Sequence, residues 1–81
     1  NTLYDGIIKV SPVTGTVFVA KEDGLYISKD KGATFNKINS EYILGLDIVK
    51  KENTVKIYYT TDNGVFYSED DGNTFQQIIS Q

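Results

Sequence analysis

The sequence predicts an all-β protein made of two four-stranded antiparallel sheets, and three observations support this prediction. Short runs rich in β-branched and aromatic residues alternate with turn residues along the chain. No window keeps the 3.6-residue apolar period of a helix for three turns. A segment of about forty residues occurs twice, with the same order of strand and turn signals in each copy.

The repeat is clearest between residues 24–38 and 64–78. Seven of these fifteen positions are identical at an offset of 40, namely Gly24, Ser28, Asp30, Gly32, Thr34, Phe35 and Ile38 of the first copy. An exact spacing with this many identities indicates a duplicated structural unit. We therefore expect two units, residues 1–38 and residues 39–81.

Each unit contains four predicted strands separated by turns rich in Gly, Asp and Asn. The strands are 7–10, 16–20, 25–28 and 35–38 in the first unit, and 46–50, 55–61, 65–68 and 75–79 in the second. Residues 17–19 and 57–59 are apolar on both faces of their strands, which is typical of sheets sandwiched between neighbours. Four antiparallel strands stacked between similar sheets are typical of a β-propeller blade. The sequence thus predicts two blades of a propeller that oligomerisation or a longer parent chain completes.

The motif S-x-D-x-G-x-T-F lies between the third and fourth predicted strands of each unit. Its residues are Ser28, Asp30, Gly32, Thr34 and Phe35 in the first copy, and Ser68, Asp70, Gly72, Thr74 and Phe75 in the second. We expect the Asp to accept hydrogen bonds from backbone amides one or two residues further on, and the Gly to supply a positive φ. The two hydroxyls would tie the strands together, and the aromatic ring would pack between blades.

This motif, with the Gly-aliphatic-aromatic segment before it, resembles the Asp-box (BNR) repeat of β-propellers, and the resemblance covers nearly all of the chain. Such repeats occur in sialidases, xyloglucan-degrading glycosidases, sortilin-like receptors and photosystem II assembly factors. The resemblance implies that Asp30 and Asp70 are structural residues on the propeller periphery. The alternative is a calcium site at Glu69-Asp70-Asp71. Against it, calcium needs six to eight oxygen ligands, and two lysines flank Asp30 in the first copy.

The composition excludes several kinds of chemistry. The chain has no Cys, no His and no Arg among its eight cationic residues, so thiolate and imidazole chemistry are absent and no cofactor is implied. Its net charge of −3 disfavours a nucleic-acid partner, and no apolar run predicts membrane insertion. The sialidases that it resembles bind their substrate carboxylate with arginines, so sialidase activity is not expected here.

We expect a non-catalytic scaffold that binds carbohydrate or protein ligands; the alternative is a fragment of an Asp-box glycoside hydrolase. Tyr4, Asp5, Tyr42 and Asp47 are the candidate ligand-facing residues, because each pair lies at or just before an innermost strand. Packing between blades is the alternative role of the two tyrosines. Asp47 is the only carboxylate within a predicted innermost strand, and its expected counterpart in the first unit is an apolar Ile at position 7 or 8.

Two blades leave broad apolar sheet faces without cover. The expected partner is therefore the chain itself, in a ring of three or four copies, or else the remaining blades of a parent propeller. The chain contains no Met, which indicates a processed form, a fragment or an engineered chain. The families that the sequence resembles favour an extracellular or periplasmic location.

Overall fold

Residues 6–80 are described by a computed structural model, and within this range the chain forms eight β-strands and no helix. The strands are β1 (Ile7–Val10), β2 (Val17–Lys21), β3 (Gly24–Ser28), β4 (Asn36–Lys37), β5 (Gly45–Lys51), β6 (Thr54–Thr61), β7 (Gly64–Ser68) and β8 (Gln76–Ser80). Across residues 6–80 there is accordingly no helix that could span a membrane.

The strands form two antiparallel sheets with the orders β1-β2-β3-β4 (sheet I) and β5-β6-β7-β8 (sheet II). The predicted all-β class and the two four-stranded sheets are confirmed, and most strand bounds lie within one residue of the prediction. The main difference is β4, which has two residues instead of the predicted four. The amide of Ile38 still donates to the carbonyl of Leu25 at 2.7 Å, so the pairing of this edge continues one residue beyond β4.

The two sheets pack face to face around one hydrophobic core. Cross-strand partners project from the same face of a sheet, so the register assigns each side chain to a face. The face of sheet I that packs on sheet II (its inner face) carries Ile7, Phe18, Ala20, Leu25 and Ile27. The inner face of sheet II carries Leu46, Ile48, Ile57, Tyr59 and Phe66. The opposite, outer face of each sheet is uncovered in a single chain.

The two inner faces are not equivalent in the repeat. Phe18 of sheet I points into the core, but Tyr58, forty positions later, lies on the outer face of sheet II. Conversely, Tyr59 points into the core, whereas Val19 lies on the outer face of sheet I. We call the face that carries Phe18 or its equivalent Tyr58 the front of a sheet, and the opposite face its back. The front of sheet I therefore packs on the back of sheet II. The uncovered faces are the back of sheet I and the front of sheet II.

The segment between β4 and β5 joins the two sheets. Asn39 Oδ1 accepts hydrogen bonds from the amides of Leu25 (3.3 Å) and Glu41 (3.2 Å), and Asn39 Nδ2 donates to Tyr59 Oη at 3.2 Å. Gly24 lets this segment cross closely, because a Cβ at this position would collide with the carbonyl oxygen of Asn39. Ile43, which follows, is fully buried in the core. These contacts fix the connection between the repeats.

Candidate functional site: the two motif loops and the interface between the sheets

The loop with the first S-x-D-x-G-x-T-F motif (the first box) connects β3 to β4 and is closed by the side chains of Ser28, Asp30 and Thr34. Ser28 Oγ donates to Asp30 Oδ1 at 2.7 Å and accepts from the amide of Gly32 at 2.8 Å. The other oxygen, Asp30 Oδ2, accepts from Thr34 Oγ1 at 2.6 Å, and Oδ1 also accepts from the amide of Thr34 at 2.9 Å. All of these hydrogen bonds join residues of the loop itself. They therefore stabilise the conformation of the loop and do not form a binding site.

The second box, between β7 and β8, repeats this network. Ser68 Oγ donates to Asp70 Oδ1 at 2.7 Å, and Asp70 Oδ2 accepts from Thr74 Oγ1 at 2.6 Å. The amides of Gly72 and Thr74 donate to Ser68 Oγ and to Asp70 Oδ1, each at 2.9 Å. The two boxes therefore have the same internal structure despite different residues at their variable positions.

The position of the boxes and their glycine conformation agree with the sequence predictions, but the predicted amide donors to the Asp carboxylate are wrong. Gly32 and Gly72 have φ angles of 95° and 89°. The Asp carboxylate accepts from the amide four residues on, and it is the Ser hydroxyl that accepts the amide two residues on. The carboxylate spans the loop because its two oxygens can accept from both Ser and Thr.

The same hydrogen bonds change the acidity of the box carboxyls. The Thr34 hydroxyl, the Thr34 amide and the Ser28 hydroxyl all donate to Asp30, and they lower the pKa of its carboxyl from 3.8 to about 2. In the second box, Thr74 and Ser68 lower the pKa of Asp70 to about 2 in the same way. Both carboxyls are thus strongly ionised acceptors, and neither is suited to donate a proton near neutral pH.

The residue before each box glycine is also left-handed, which the sequence did not reveal. Lys31 and Asp71 both have a φ of 64°. An αL residue directly before a glycine turns the side chain out of the hairpin, so this position projects beyond its own sheet. The only sequence signal was Asp71 itself, because αL positions favour Asn, Asp and Gly, and Lys31 gives no such signal.

Asp71 uses this projection to bind sheet I. Its carboxylate accepts from Thr14 Oγ1 (2.8 Å), Thr16 Oγ1 (2.5 Å) and Lys29 Nζ (2.9 Å), and its carbonyl accepts a second hydrogen bond from Lys29 Nζ at 2.9 Å. Partial burial opposes ionisation of Asp71, but these hydrogen bonds outweigh it and hold the pKa of the carboxyl below its ordinary value. Asp71 is therefore a polar clamp between the two sheets.

Gly72, the next residue, packs directly on sheet I. A Cβ at Gly72 would lie 2.7 Å from Ile27 Cδ1 and 2.9 Å from Phe18 Cε2. In the first box, a Cβ at Gly32 would meet nothing within 4 Å. The aromatic residues differ in the same way, since Phe75 packs against the core while Phe35 is 41% exposed. Phe75 thus packs between the two sheets as expected, whereas Phe35 has no second sheet over it in a single chain, and its packing between sheets stays a prediction.

The three neighbouring acids of the second box do not converge on one point. Asp70 binds within its own loop, Asp71 binds sheet I, and Glu69 Oε2 lies 3.3 Å from Lys56 Nζ. Within residues 6–80, no group of three acidic side chains is arranged to hold a metal ion.

Two of the four candidate ligand-facing residues, Tyr4 and Asp5, lie outside the described residues. Tyr42 is half exposed in the segment before β5, and Asp47 is exposed on the outer face of sheet II. Asp47 Oδ1 accepts from the amide of Ile48 at 2.9 Å.

The alignment of the two repeats predicted the wrong counterpart of Asp47 in the first unit. In sheet II, Asp47 is opposite Tyr58, and in sheet I the residue opposite the equivalent Phe18 is Lys9. The counterpart is therefore Lys9 rather than an isoleucine. The offset is 38 in this strand and 40 in the next two, because the paired positions of β5 and β6 are two residues further apart in the chain than those of β1 and β2.

Both outer faces carry exposed apolar or aromatic side chains. On sheet I, Val19, Tyr26 and Phe35 line a shallow hollow, and Ile8 beside them is 67% exposed. On sheet II, the rings of Tyr58 and Tyr67 stack with their centroids 6.0 Å apart.

Comparisons of this chain with protein-family models, with curated proteins and with solved structures find no match.

Proposed function

We propose that this chain is a non-catalytic β-propeller repeat module of the Asp-box type, in which each sheet is one blade. Its function is to build a scaffold by stacking blades front to back. Three copies would form a ring of about six blades and four copies a ring of about eight, within the usual size of propellers. The ring would present its loops and its central channel to a protein or carbohydrate ligand.

The observation that carries this proposal is the non-equivalence of the two packed faces. A pair of sheets packed front to front would bury both copies of one face and would be complete by itself. Here Phe18 and Tyr59 meet in the core, and their equivalents Tyr58 and Val19 remain on opposite outer faces. A front-to-back contact can be repeated with further copies, and it forms a ring when the rotation between sheets closes.

The box chemistry supports a structural role. In both boxes the carboxylate is occupied by the Ser and Thr of its own loop, and its pKa is near 2. A general acid needs a pKa near the working pH, and a nucleophile needs access to substrate. Glycoside hydrolysis would moreover require two facing carboxyl groups, and Asp47 has Lys9 as its counterpart.

The direct test is the shape of the particle that the 81-residue chain forms. We expect negative-stain electron microscopy and small-angle X-ray scattering to show a flat, closed ring with a central channel. Open filaments, or a monomer at every concentration, would contradict the proposal. Hydrolysis of aryl glycosides that an Asp47→Asn variant abolishes would contradict its non-catalytic part.

A second candidate is carbohydrate binding on the outer face of sheet II. The stacked Tyr58 and Tyr67 form an aromatic surface beside the exposed carboxylate of Asp47, and flat aromatic faces suit the apolar faces of sugar rings. Glycan-array binding by the chain that a Tyr67→Ala variant loses, with a Tyr26→Ala variant as control on the other sheet, would favour this candidate. It requires that the face stay uncovered in solution.

A further inference from the structure

We propose that the outer face of sheet II binds the outer face of sheet I of a second copy of this chain, and that Glu69 of one copy pairs with Lys31 of the next. This inference rests on the proposed function, since it names the contact that would join the copies. It identifies two specific residues and a charge pattern that the stacking of blades does not by itself require.

The interface inside the chain is the template for this contact. There, sheet I contributes its inner face and Lys29, and sheet II contributes its inner face and Asp71. The outer face of sheet II is equivalent in the repeat to the inner face of sheet I. The outer face of sheet I is likewise equivalent to the inner face of sheet II. A second copy can therefore repeat the same contact with the same geometry.

The charges at the clamp are reversed between the two contacts. At an offset of 40, Glu69 occupies the position of Lys29, and Lys31 occupies the position of Asp71. The internal pair is a lysine of the first sheet with an aspartate of the second. The contact between copies would join a glutamate to a lysine, so both positions change sign and the attraction is kept.

The backbone places Lys31 correctly for this role. Lys31 and Asp71 share a φ of 64°, and the box networks around them are the same. The side chain of Lys31 therefore leaves its loop in the direction that Asp71 uses to reach the neighbouring sheet. Gly32 follows it with open space around its Cα, where Gly72 has Phe18 and Ile27. In the contact between copies, the equivalent residues facing Gly32 would be Tyr58 and Tyr67.

Glu69 is accessible for the pairing. It now lies 3.3 Å from Lys56 Nζ, in a pair whose side chains are 59% and 46% exposed. Lys56 occupies the position of Thr16, which also binds the clamp carboxylate in the internal interface. In the contact between copies, Lys31 would thus lie beside both Glu69 and Lys56, and Glu69 would offset the repulsion between the two lysines. An arrangement of one acid and two lysines is sensitive to salt, because these charges are near the surface.

The apolar surface around the clamp needs the same cover. Phe35 and Ile8 are exposed on the outer face of sheet I, while their equivalents Phe75 and Leu46 are covered by the other sheet. Apolar area removed from water stabilises an interface by about 25 cal/mol per Å². The burial supplies the affinity of the contact, and the Lys31–Glu69 pair selects its register.

The test is a charge exchange followed by sedimentation equilibrium of the full chain. We expect Lys31→Glu and Glu69→Lys each to raise the concentration for half-assembly at least about tenfold, because like charges then meet. The double variant Lys31→Glu/Glu69→Lys should return close to the unsubstituted chain. Glu22→Lys, in the turn at the opposite end of the strands, makes the same charge change and should have no effect. Circular dichroism of dilute samples verifies that each variant is folded.

A mixture of the two single variants makes the test sharper. In an alternating ring of four chains, every contact joins a carboxylate of the Lys31→Glu variant to a lysine of the Glu69→Lys variant, so assembly is restored. A ring of three chains cannot alternate and keeps one repulsive contact. If the unsubstituted chain assembles but the single variants assemble equally well, or if the double variant is not rescued, the pairing is wrong and the scaffold proposal survives. If the unsubstituted chain stays monomeric, both proposals fail.

Discussion

The two boxes, which are the loops with the repeated S-x-D-x-G-x-T-F motif, have the same internal hydrogen bonds but different surroundings. In each, the hydroxyl of the Thr lies 2.6 Å and that of the Ser 2.7 Å from the Asp carboxylate. In the second box, however, Gly72 and Asp71 contact sheet I, whereas Gly32 in the first box faces open space. The comparison separates two roles of one motif: it closes its own loop everywhere, and it fastens neighbouring sheets only where a neighbour is present.

The largest difference between the boxes should come from glycine substitution. Gly72→Ala places a Cβ against Ile27 and Phe18 at a φ of 89°, so we expect a loss of about 2–5 kcal/mol in the free energy of unfolding. Gly32→Ala meets only the backbone strain and should lose about 1–2 kcal/mol. Urea unfolding of dilute samples measures both values. Equal losses would mean that the surroundings of Gly32 are filled in solution.

The aromatic residues of the boxes should give the next largest difference. Phe75 packs edge-on against Tyr59 with ring centroids 5.1 Å apart, and Phe75→Ala should cost about 2–3 kcal/mol. Phe35 is exposed on one side, so Phe35→Ala should cost about 1 kcal/mol or less in a monomer. The midpoints of urea unfolding report both effects. A larger loss for Phe35→Ala would contradict the packing described here.

The clamp should contribute less than the core. We expect the Lys29–Asp71 pair to stabilise the chain by about 0.5–1 kcal/mol, because both side chains are partly exposed. A double-mutant cycle with Lys29→Gln and Asp71→Asn measures this coupling, and added salt should reduce it. The corresponding cycle on Lys56 and Glu69, which lie within one sheet, should give a smaller coupling in the monomer. A coupling between Lys56 and Glu69 that is larger than the coupling between Lys29 and Asp71 would contradict the role of Asp71 as the clamp.

The smallest difference between the boxes is expected in their pH dependence. The folded pKa values of Asp30 and Asp70, about 2, lie below the ordinary 3.8. Their ionised forms therefore stabilise the fold fully above about pH 4, and this stabilisation is lost as the pH falls from about 4 to about 2. We call this fall of the free energy of unfolding at low pH the acid limb. Thr34→Val and Thr74→Val should each make the acid limb less steep, by the same amount.

Urea unfolding at a series of pH values measures the acid limb. Thr54→Val is the matched control, since Thr54 Oγ1 donates to a backbone carbonyl and not to a carboxylate. Unequal effects of the two box variants on the acid limb would show that contacts outside the loop also change its hydrogen bonds. An unchanged limb in both would contradict the assigned hydrogen bonds.

The local structure was largely predictable because it depends on neighbours in the sequence. Strand positions follow from runs of β-branched and aromatic residues, and the loops follow from Gly and Asp. The prediction was less accurate for β4, where the box loop occupies the start of the expected strand. It was also inaccurate for Asp47, because the repeat offset changes by two residues between β5 and β6, and only the hydrogen-bonded register shows this change.

The candidate site was predictable only in part. The motif located Ser28, Asp30 and Thr34, but nothing in it distinguished Asp71 from Lys31. The role of Asp71 depends on Thr14, Thr16 and Lys29, which are 57, 55 and 42 positions away in the chain. Contacts at such separations arise from the packing of the sheets and leave no local signal.

By itself, the sequence determined that this chain is all-β, that its unit is repeated, and that each repeat contains a loop with the S-x-D-x-G-x-T-F motif. These properties depend on backbone preferences and on hydrogen bonds within a few residues. Only the tertiary structure decided that a front packs on a back, that Gly72 and Asp71 join the sheets, and that Lys9 is the counterpart of Asp47. The physical reason is that strand residues such as Val17, Phe18 and Val19 are apolar on both faces, so hydrophobicity alone cannot tell which face a neighbour covers.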